Sequence, residues 1–183
     1  MDDARLVKIS KYLSKHLRHQ PQRLGLTLTE AGWVDVELLL AKCRQSNFPI
    51  TRAELDEVVA RNDKKRFSFD PTRKLIRANQ GHSVDIDLRL QPTTPPSVLY
   101  HGTNAGSLHL IMESGLSKMG RHHVHLSVDV GTAMKVGSRR GRPVVIQVDA
   151  AAMIKAGHSF YVSDNGVWLV DHVPKEFLTV AVA

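Results

Sequence analysis

The first third of the chain carries its hydrophobic positions in a helical rhythm. Leu6, Ile9, Leu13 and Leu17 recur at steps of 3, 4 and 4, which places one apolar stripe on a helix over 4–19. Lys8, Lys11, Lys15 and Arg18 recur at steps of 3, 4 and 3 and form a basic stripe on the same helix. Gln20-Pro21 ends it, because proline biases its predecessor away from the helical region. The pattern predicts a second helix over Val36–Gln45. A third opens at Thr51, where Thr51 and Glu54 make a capping box ahead of Leu55, Val58 and Val59. The period then changes to two: Arg66-Phe67-Ser68-Phe69 alternates as a strand, Asp70-Pro71-Thr72-Arg73 turns, and 74–78 returns. Three helices followed by a β-hairpin predict a winged-helix lobe.

Residues 84–90 alternate as a further strand, and the proline-rich 91–97 reads as a stiff linker. The expected organisation is therefore a first lobe over 1–90, a linker over 91–97 and a second lobe over 98–183. In the second lobe strands are predicted at 98–101, 123–128, 143–148, 160–162, 167–170 and 177–182. Helices are predicted at 105–115, 129–137 and 150–156. The fold class is α+β, two lobes, the second with mixed β-sheets.

Composition narrows the picture. With 183 residues, 42% hydrophobic and 23% charged, the chain has enough apolar content for a core, which excludes disordered, collagen-like and coiled-coil classes. Its 25 Lys and Arg against 18 Asp and Glu leave +7, and ten histidines add to it below neutral pH. That balance favours a polyanionic or phosphorylated partner. The single cysteine, Cys43, excludes an intrachain disulfide and a cysteine-rich zinc site. No apolar run approaches the roughly 20 residues of a membrane span, and the opening MDDARLVKIS lacks the apolar core of a signal peptide. A cytoplasmic protein with no membrane partner is expected. Aromatic residues at 5% argue against an extensive base-stacking platform, and Trp33 and Trp168 are expected in the cores.

Four clusters could carry chemistry. In 121–127 the strand period puts Arg121, His123, His125 and Ser127 on one face, where polar groups need a reason. Three histidines suggest zinc, yet His122 points the other way and no third ligand is suitably spaced, so no metal is expected. Tyr100-His101-Gly102-Thr103 ends a strand with a glycine that would let a ligand approach the backbone closely. Around the hairpin, residues 62–67 and 77–83 bring Arg66, Arg77 and His82 within reach of convergence, and Leu17-Arg18-His19 closes the first helix. Arginine grips phosphate through its planar fork. Neither GxGxxG nor GxxxxGK[ST] occurs, so a dinucleotide would have to be bound in another way. Each cluster alone reads equally as solvated surface charge.

Taken in order, SKHLRH (14–19), NDKKRFSF (62–69), IRANQGHS (76–83), YHGT (100–103), RHHVHLS (121–127) and FYVSDNGVWL (160–169) resemble the tRNA 2′-phosphotransferase family. The resemblance implies a winged-helix lobe joined to an ADP-ribosyltransferase-like lobe. It also implies removal of an internal RNA 2′-phosphate with NAD+ as acceptor and no metal. The family's catalytic tetrad falls on Arg18, His19, Arg66 and Arg121. Its NAD+ pocket falls on His101, Gly102, Thr103, His125 and Ser127, with Asn165 and Val167 where many ADP-ribosyltransferases carry a glutamate. The missing carboxylate suits a nucleophile that is already anionic. Lys15, Arg77, Asn79, Gln80, His82 and Arg139 are expected on the RNA or phosphate side, with Lys8 and Lys11 extending the track.

Three other readings stay open: an ADP-ribosyltransferase capping terminal phosphates of nucleic acid, a non-catalytic winged-helix regulator, and a toxin-like protein ADP-ribosyltransferase, the last disfavoured by the absent glutamate. Nothing in the sequence requires a dimer, and a monomer is expected.

Overall fold

Asp2 starts the first helix, its carboxylate accepting from the Arg5 backbone N–H at 2.7 Å, and α1 runs Asp3–Arg18. The predicted stripe is its buried face: Ile9, Leu13 and Leu17 are fully enclosed, while Lys8, Lys11 and Lys15 remain exposed. The structure, a computed structural model, describes residues 1–61 and 65–183. Residues 62–64, which open the NDKKRFSF segment, lie outside the described residues. The chain divides into two compact units, Met1–Arg89 and Leu90–Ala183.

In the first unit a short strand β1 (Val34–Asp35) leads into α2 (Val36–Gln45), whose N-cap Asp35 accepts from Leu38 N–H at 2.9 Å. Helix α3 (Arg52–Arg61) follows, then β2 (Phe67–Phe69) and β3 (Leu75–Ala78). The three strands form one antiparallel sheet in the order β1-β3-β2, with Phe67 opposite Ala78 and Val34 opposite Ile76. Phe67, Ile76 and Ala78 complete a core with Leu13, Leu17, Leu39, Cys43, Leu55 and Val58. The turn is fixed by Asp70, whose Oδ1 accepts from Leu75 N–H at 2.7 Å.

The capping box of α3 forms as the spacing requires. Thr51 N–H donates to Glu54 Oε2 at 2.9 Å and Glu54 N–H donates to Thr51 Oγ1 at 3.2 Å. Arg5 of α1 adds a 2.8 Å bond from Nε to Glu54 Oε1. The Arg5 bond first, and the Thr51 N–H next, pull the Glu54 carboxyl down to about 2. The folded pKa thus lies below the ordinary 4.5. The stabilisation is complete above that value and is lost as pH falls through about 2. Glu54→Gln should therefore flatten the loss of stability between these pH values and cost about 1 kcal/mol at neutral pH, measurable by denaturant titration at pH 7 and pH 3.

Residues 84–90 do not form the strand their alternation predicts. No strand among the described residues pairs with them. Instead Ser83 N–H donates to the Arg18 carbonyl at 2.9 Å, Asp87 N–H donates to the Glu30 carbonyl at 2.7 Å, and buried Ile86 packs over Gly32. Arg89 then turns the chain with φ +52°. The alternation records a strap with one face against the unit, which needs no ladder.

The second unit contains β4 (Val98–Asn104), α4 (Ala105–Ser114), β5 (Leu116–Ser117), β6 (Val124–Leu126), α5 (Val130–Gly137), β7 (Pro143–Asp149), α6 (Ala150–Lys155), β8 (Phe160–Val162), β9 (Trp168–Val170), β10 (His172–Val173) and β11 (Leu178–Val182). Its strands form small sheets in the orders β11-β7-β4, β6-β9-β8 and β10-β5. The expectation of mixed sheets is corrected: every ladder among the described residues is antiparallel. The helices lie over or between strands without carrying the chain to a parallel neighbour. A single bridge, Tyr100 to Ser127, links the first two sheets. Residues 91–97 lie against this unit: Thr93 N–H donates to Phe160 O, and Ser97 O accepts from Ala151 N–H. Leu99, Ile146, Val148, Met153, Phe160 and Val170 centre the core.

Helix α5, capped by Asp129 through Thr132 N–H at 2.7 Å, lies directly on β4. A β-carbon on Gly102 would overlap the Ala133 carbonyl oxygen and stand 2.6 Å from its carbon. A β-carbon on Gly137 would press into the Thr103 carbonyl oxygen. Two glycines thus bring main chain against main chain. No helix among the described residues is long and apolar enough to cross a membrane.

Candidate active site

In the first unit three of the tetrad positions meet where α1 ends beside the start of the hairpin. Arg18 is the last residue of α1, and its Nη2 donates to the Arg66 carbonyl at 3.5 Å while its guanidinium lies 5.9 Å from the Phe67 ring centre. Arg66 precedes β2, and its Nη1 donates to the buried Ser10 hydroxyl at 3.3 Å. His19 is exposed at the C-cap, with Nδ1 2.9 Å from Ser83 Oγ. Both guanidinium groups are thus tied to polar groups of their own unit, which fixes their position.

The remaining positions of this unit separate into support and surface. Asn79 is 2% exposed, donating from Nδ2 to the Lys65 carbonyl at 2.7 Å and from its backbone N–H to the Arg66 carbonyl at 2.9 Å. It therefore braces Arg66 from below. His82 is also 2% exposed and lies against Gly32. It is enclosed at the start of the strap, where Ser83 N–H bonds the Arg18 carbonyl. Gln80 is half-buried just beyond β3, and Lys15 is exposed one turn before His19. Arg77 does not converge with Arg66: β3 turns it onto Trp33, with the guanidinium 4.5 Å from the ring centre. Trp33 is accordingly not a core residue. The pair lines an open groove of about 520 Å³ with Thr29, Leu88 and Arg89.

In the second unit β4 carries His101 and β6 carries His125. The His101 ring donates from Nδ1 to the His125 carbonyl at 3.1 Å, so the neutral ring offers Nε2 as an acceptor. Burial pushes the His101 pKa down, Arg121 pushes it further, and the carbonyl bond opposes both. Arg121 lies in the turn before β6, where its N–H bonds the Lys118 carbonyl at 3.1 Å, and so the strand argument that placed it fails. It nevertheless reaches His125, with Nη1 3.5 Å from Nδ1. Its pKa is lowered first by desolvation of the guanidinium and then by Arg140 and Arg139. His123 departs from this group to lie tilted against Tyr161, with ring centres 5.7 Å apart.

The Arg139 and Arg140 charges come from the tight turn that follows α5. Both belong to the basic run 137–142, which the sequence marks as a candidate loop for a pyrophosphate or an RNA backbone phosphate. Ser127 exchanges both backbone bonds with Tyr100 at 2.8 Å. The β6–β9 register, continued one step, sets Ser127 opposite Val167. Val167 and Asn165 belong to the β8–β9 turn around buried Ser163, whose Oγ donates to Asn165 Oδ1 at 2.6 Å and accepts from Val167 N–H at 3.1 Å. Thr103 is buried in β4, and Gly102 lies against the backbone of α5. Two further residues escaped the sequence reading, Ser10 and Ser83. Only Ser83 had a signal, at the end of IRANQGHS.

The fold is mixed α+β, and each of its two units gathers arginine and histidine. A family model described as "RNA 2'-phosphotransferase, Tpt1 / KptA family" matches residues 4–172. A protein named "Probable RNA 2'-phosphotransferase" from Trichormus variabilis is 61% identical over 178 residues, covering 97% of this chain and 98% of that one. Proteins of the same name from Streptomyces coelicolor and Rhizobium leguminosarum are 59% and 51% identical, each with 97% of its own length covered. The chain belongs to the RNA 2′-phosphotransferase family.

Proposed function

We propose that this chain is an NAD+-dependent RNA 2′-phosphotransferase, its first unit a winged-helix lobe for the RNA phosphate and its second an ADP-ribosyltransferase-like lobe for NAD+. The carrying observation is the accumulation of guanidinium charge around Arg121. Among the described residues no carboxylate forms an ion pair with Arg121, Arg139 or Arg140, and the Arg121 pKa is lowered by desolvation and then by the charges of Arg140 and Arg139. Such crowding costs stability and fits a site whose occupant is an anion. The donor set also fits a dinucleotide: Arg139 and Arg140 would hold its pyrophosphate, and His101 Nε2 would accept from a ribose hydroxyl. His125, Thr103, Ser127 and the Asn165–Val167 turn would line the same pocket.

The RNA 2′-phosphate, charged at neutral pH, attacks C1″ of the nicotinamide-side ribose without a general base, and nicotinamide leaves with the glycosidic electron pair. The ribose 2″-hydroxyl then attacks that phosphorus, and the RNA 2′-oxygen leaves. His19 carries the proton from one oxygen to the other. Arg18, Arg66 and Arg121 stabilise the charge on the phosphoryl oxygens. The products are 2′-hydroxyl RNA and ADP-ribose 1″,2″-cyclic phosphate, and no metal takes part.

The test is a single turnover of a short RNA with one internal 2′-phosphate, NAD+ and excess enzyme, without metal. Formation of both products supports the reading. Persistent ADP-ribosylated RNA would mean a transferase that stops after the first step, and bound but unchanged RNA would mean a binding protein.

A further inference from the structure

Among the described residues the rings of His16, His19 and His101 each have an uncharged partner on Nδ1, and the partner of His19 differs in kind. His16 directs Nδ1 to the Gln20 carbonyl at 3.2 Å, and His101 directs Nδ1 to the His125 carbonyl at 3.1 Å. A carbonyl only accepts, so each of these neutral rings is held with its proton on Nδ1. Both rings also have pKa values lowered chiefly by desolvation. His19 is exposed, and its Nδ1 lies 2.9 Å from the Ser83 hydroxyl. A hydroxyl both donates and accepts, and it rotates to do either.

The distinction bears on proton transfer. A ring that must take a proton and give it back passes through imidazole and imidazolium. In the imidazolium, Nδ1–H donates and needs an acceptor. In the neutral ring, the Nδ1 requirement depends on which nitrogen keeps the proton. A carbonyl partner would bind only the forms with Nδ1–H and would release the ring in the third form. Ser83 Oγ serves all three forms.

The serine is itself fixed. Its backbone N–H donates to the Arg18 carbonyl at 2.9 Å, which ties the strap to the last turn of α1. The hydroxyl is thus referenced to the same turn that sets Arg18 and His19. We propose that Ser83 is a positioning residue that holds the His19 ring in one orientation through both protonation states, so that Nε2 is the nitrogen exchanging the proton during phosphate transfer. The proposal rests on the phosphotransferase reading for its catalytic half. Its orientational half stands on the geometry alone.

The test compares wild type, Ser83→Ala and Ser83→Thr in the full chain with 15N-labelled histidine. The first readout is the pair of ring 15N shifts of His19, with His16 and His101 as internal controls because their carbonyl partners are untouched. The His19 shifts should move in Ser83→Ala, return in Ser83→Thr, and leave the control rings unchanged. The second readout is the single-turnover rate. Ser83→Ala should slow the second step about tenfold at unchanged RNA and NAD+ half-saturation, as a mispositioned catalytic group does, and Ser83→Thr should restore it.

Unchanged His19 shifts in Ser83→Ala overturn the proposal, as does a rate loss without a shift or a shift without a rate loss. If the control rings also change in Ser83→Ala, the fold has been disturbed and Ser83→Thr decides. Retention of both readouts then supports the proposal and loss of both overturns it. If wild type performs no phosphate transfer, the phosphotransferase reading falls, while the shift comparison still decides whether Ser83 holds the ring.

Discussion

Arg121→Ala should slow conversion of 2′-phosphorylated RNA by about a thousandfold while leaving the thermal midpoint unchanged or slightly raised. A preorganised charged donor at a reacting phosphoryl group is worth roughly 10²–10³ in rate, and Arg121 acts with Arg139 and Arg140 at its back. Desolvation first, and then those two charges, lower its pKa, so the native state holds it against both burial and repulsion. Removing it relieves that repulsion, which separates a catalytic loss from a folding loss. Arg121→Lys keeps the charge and loses the planar fork, and should recover only part of the rate because lysine cannot engage two oxygens at once. Single-turnover kinetics with both steps resolved, beside a thermal melt of each variant, would check this. A drop in melting temperature that tracked the lost rate would contradict it.

Gly102→Ala should be the most damaging small substitution in the second unit. The added methyl has no side chain to push aside: it meets the backbone of Ala133, with Gly137 N 3.0 Å away. Either α5 lifts from β4 or the strand bends, at a cost of at least about 3 kcal/mol, equivalent to roughly 6–12 °C in a protein of this size. Gly120→Ala is the matched control, since a β-carbon there meets nothing within 4 Å, and it should shift stability by less than about 0.5 kcal/mol. Calorimetry of both variants reads the difference directly. Equal melting temperatures would mean that α5 does not rest on Gly102.

The elements that could be read from sequence are those whose pattern is local. The stripe Ile9-Leu13-Leu17, the Thr51–Glu54 box and the turn at Asp70 each contain their own explanation, and each forms. The two-residue strands β1, β5 and β10 exist only through their partners, which no window of sequence contains. The 84–90 alternation was misleading because period two reports one buried face and says nothing of a neighbouring strand. At the site, motif matching named the charged residues but not what holds them. Arg121 sits in a turn, Arg77 spends its guanidinium on Trp33, and His82 and Asn79 are buried braces. Ser83 became visible only when the strap was seen to return to α1.

The Gly102–Gly137 seam has a consequence for how this site can vary. His101 leaves β4 next to Gly102, and the Arg139–Arg140 turn begins immediately after Gly137. The spacing between imidazole and arginines is therefore set by peptide planes in contact, not by the size of any side chain. Hydrophobic substitutions elsewhere in the core can drift without resizing that gap. A homologue that needed a longer or shorter ligand between these groups could not reach it by gradual repacking. It would have to rebuild the helix.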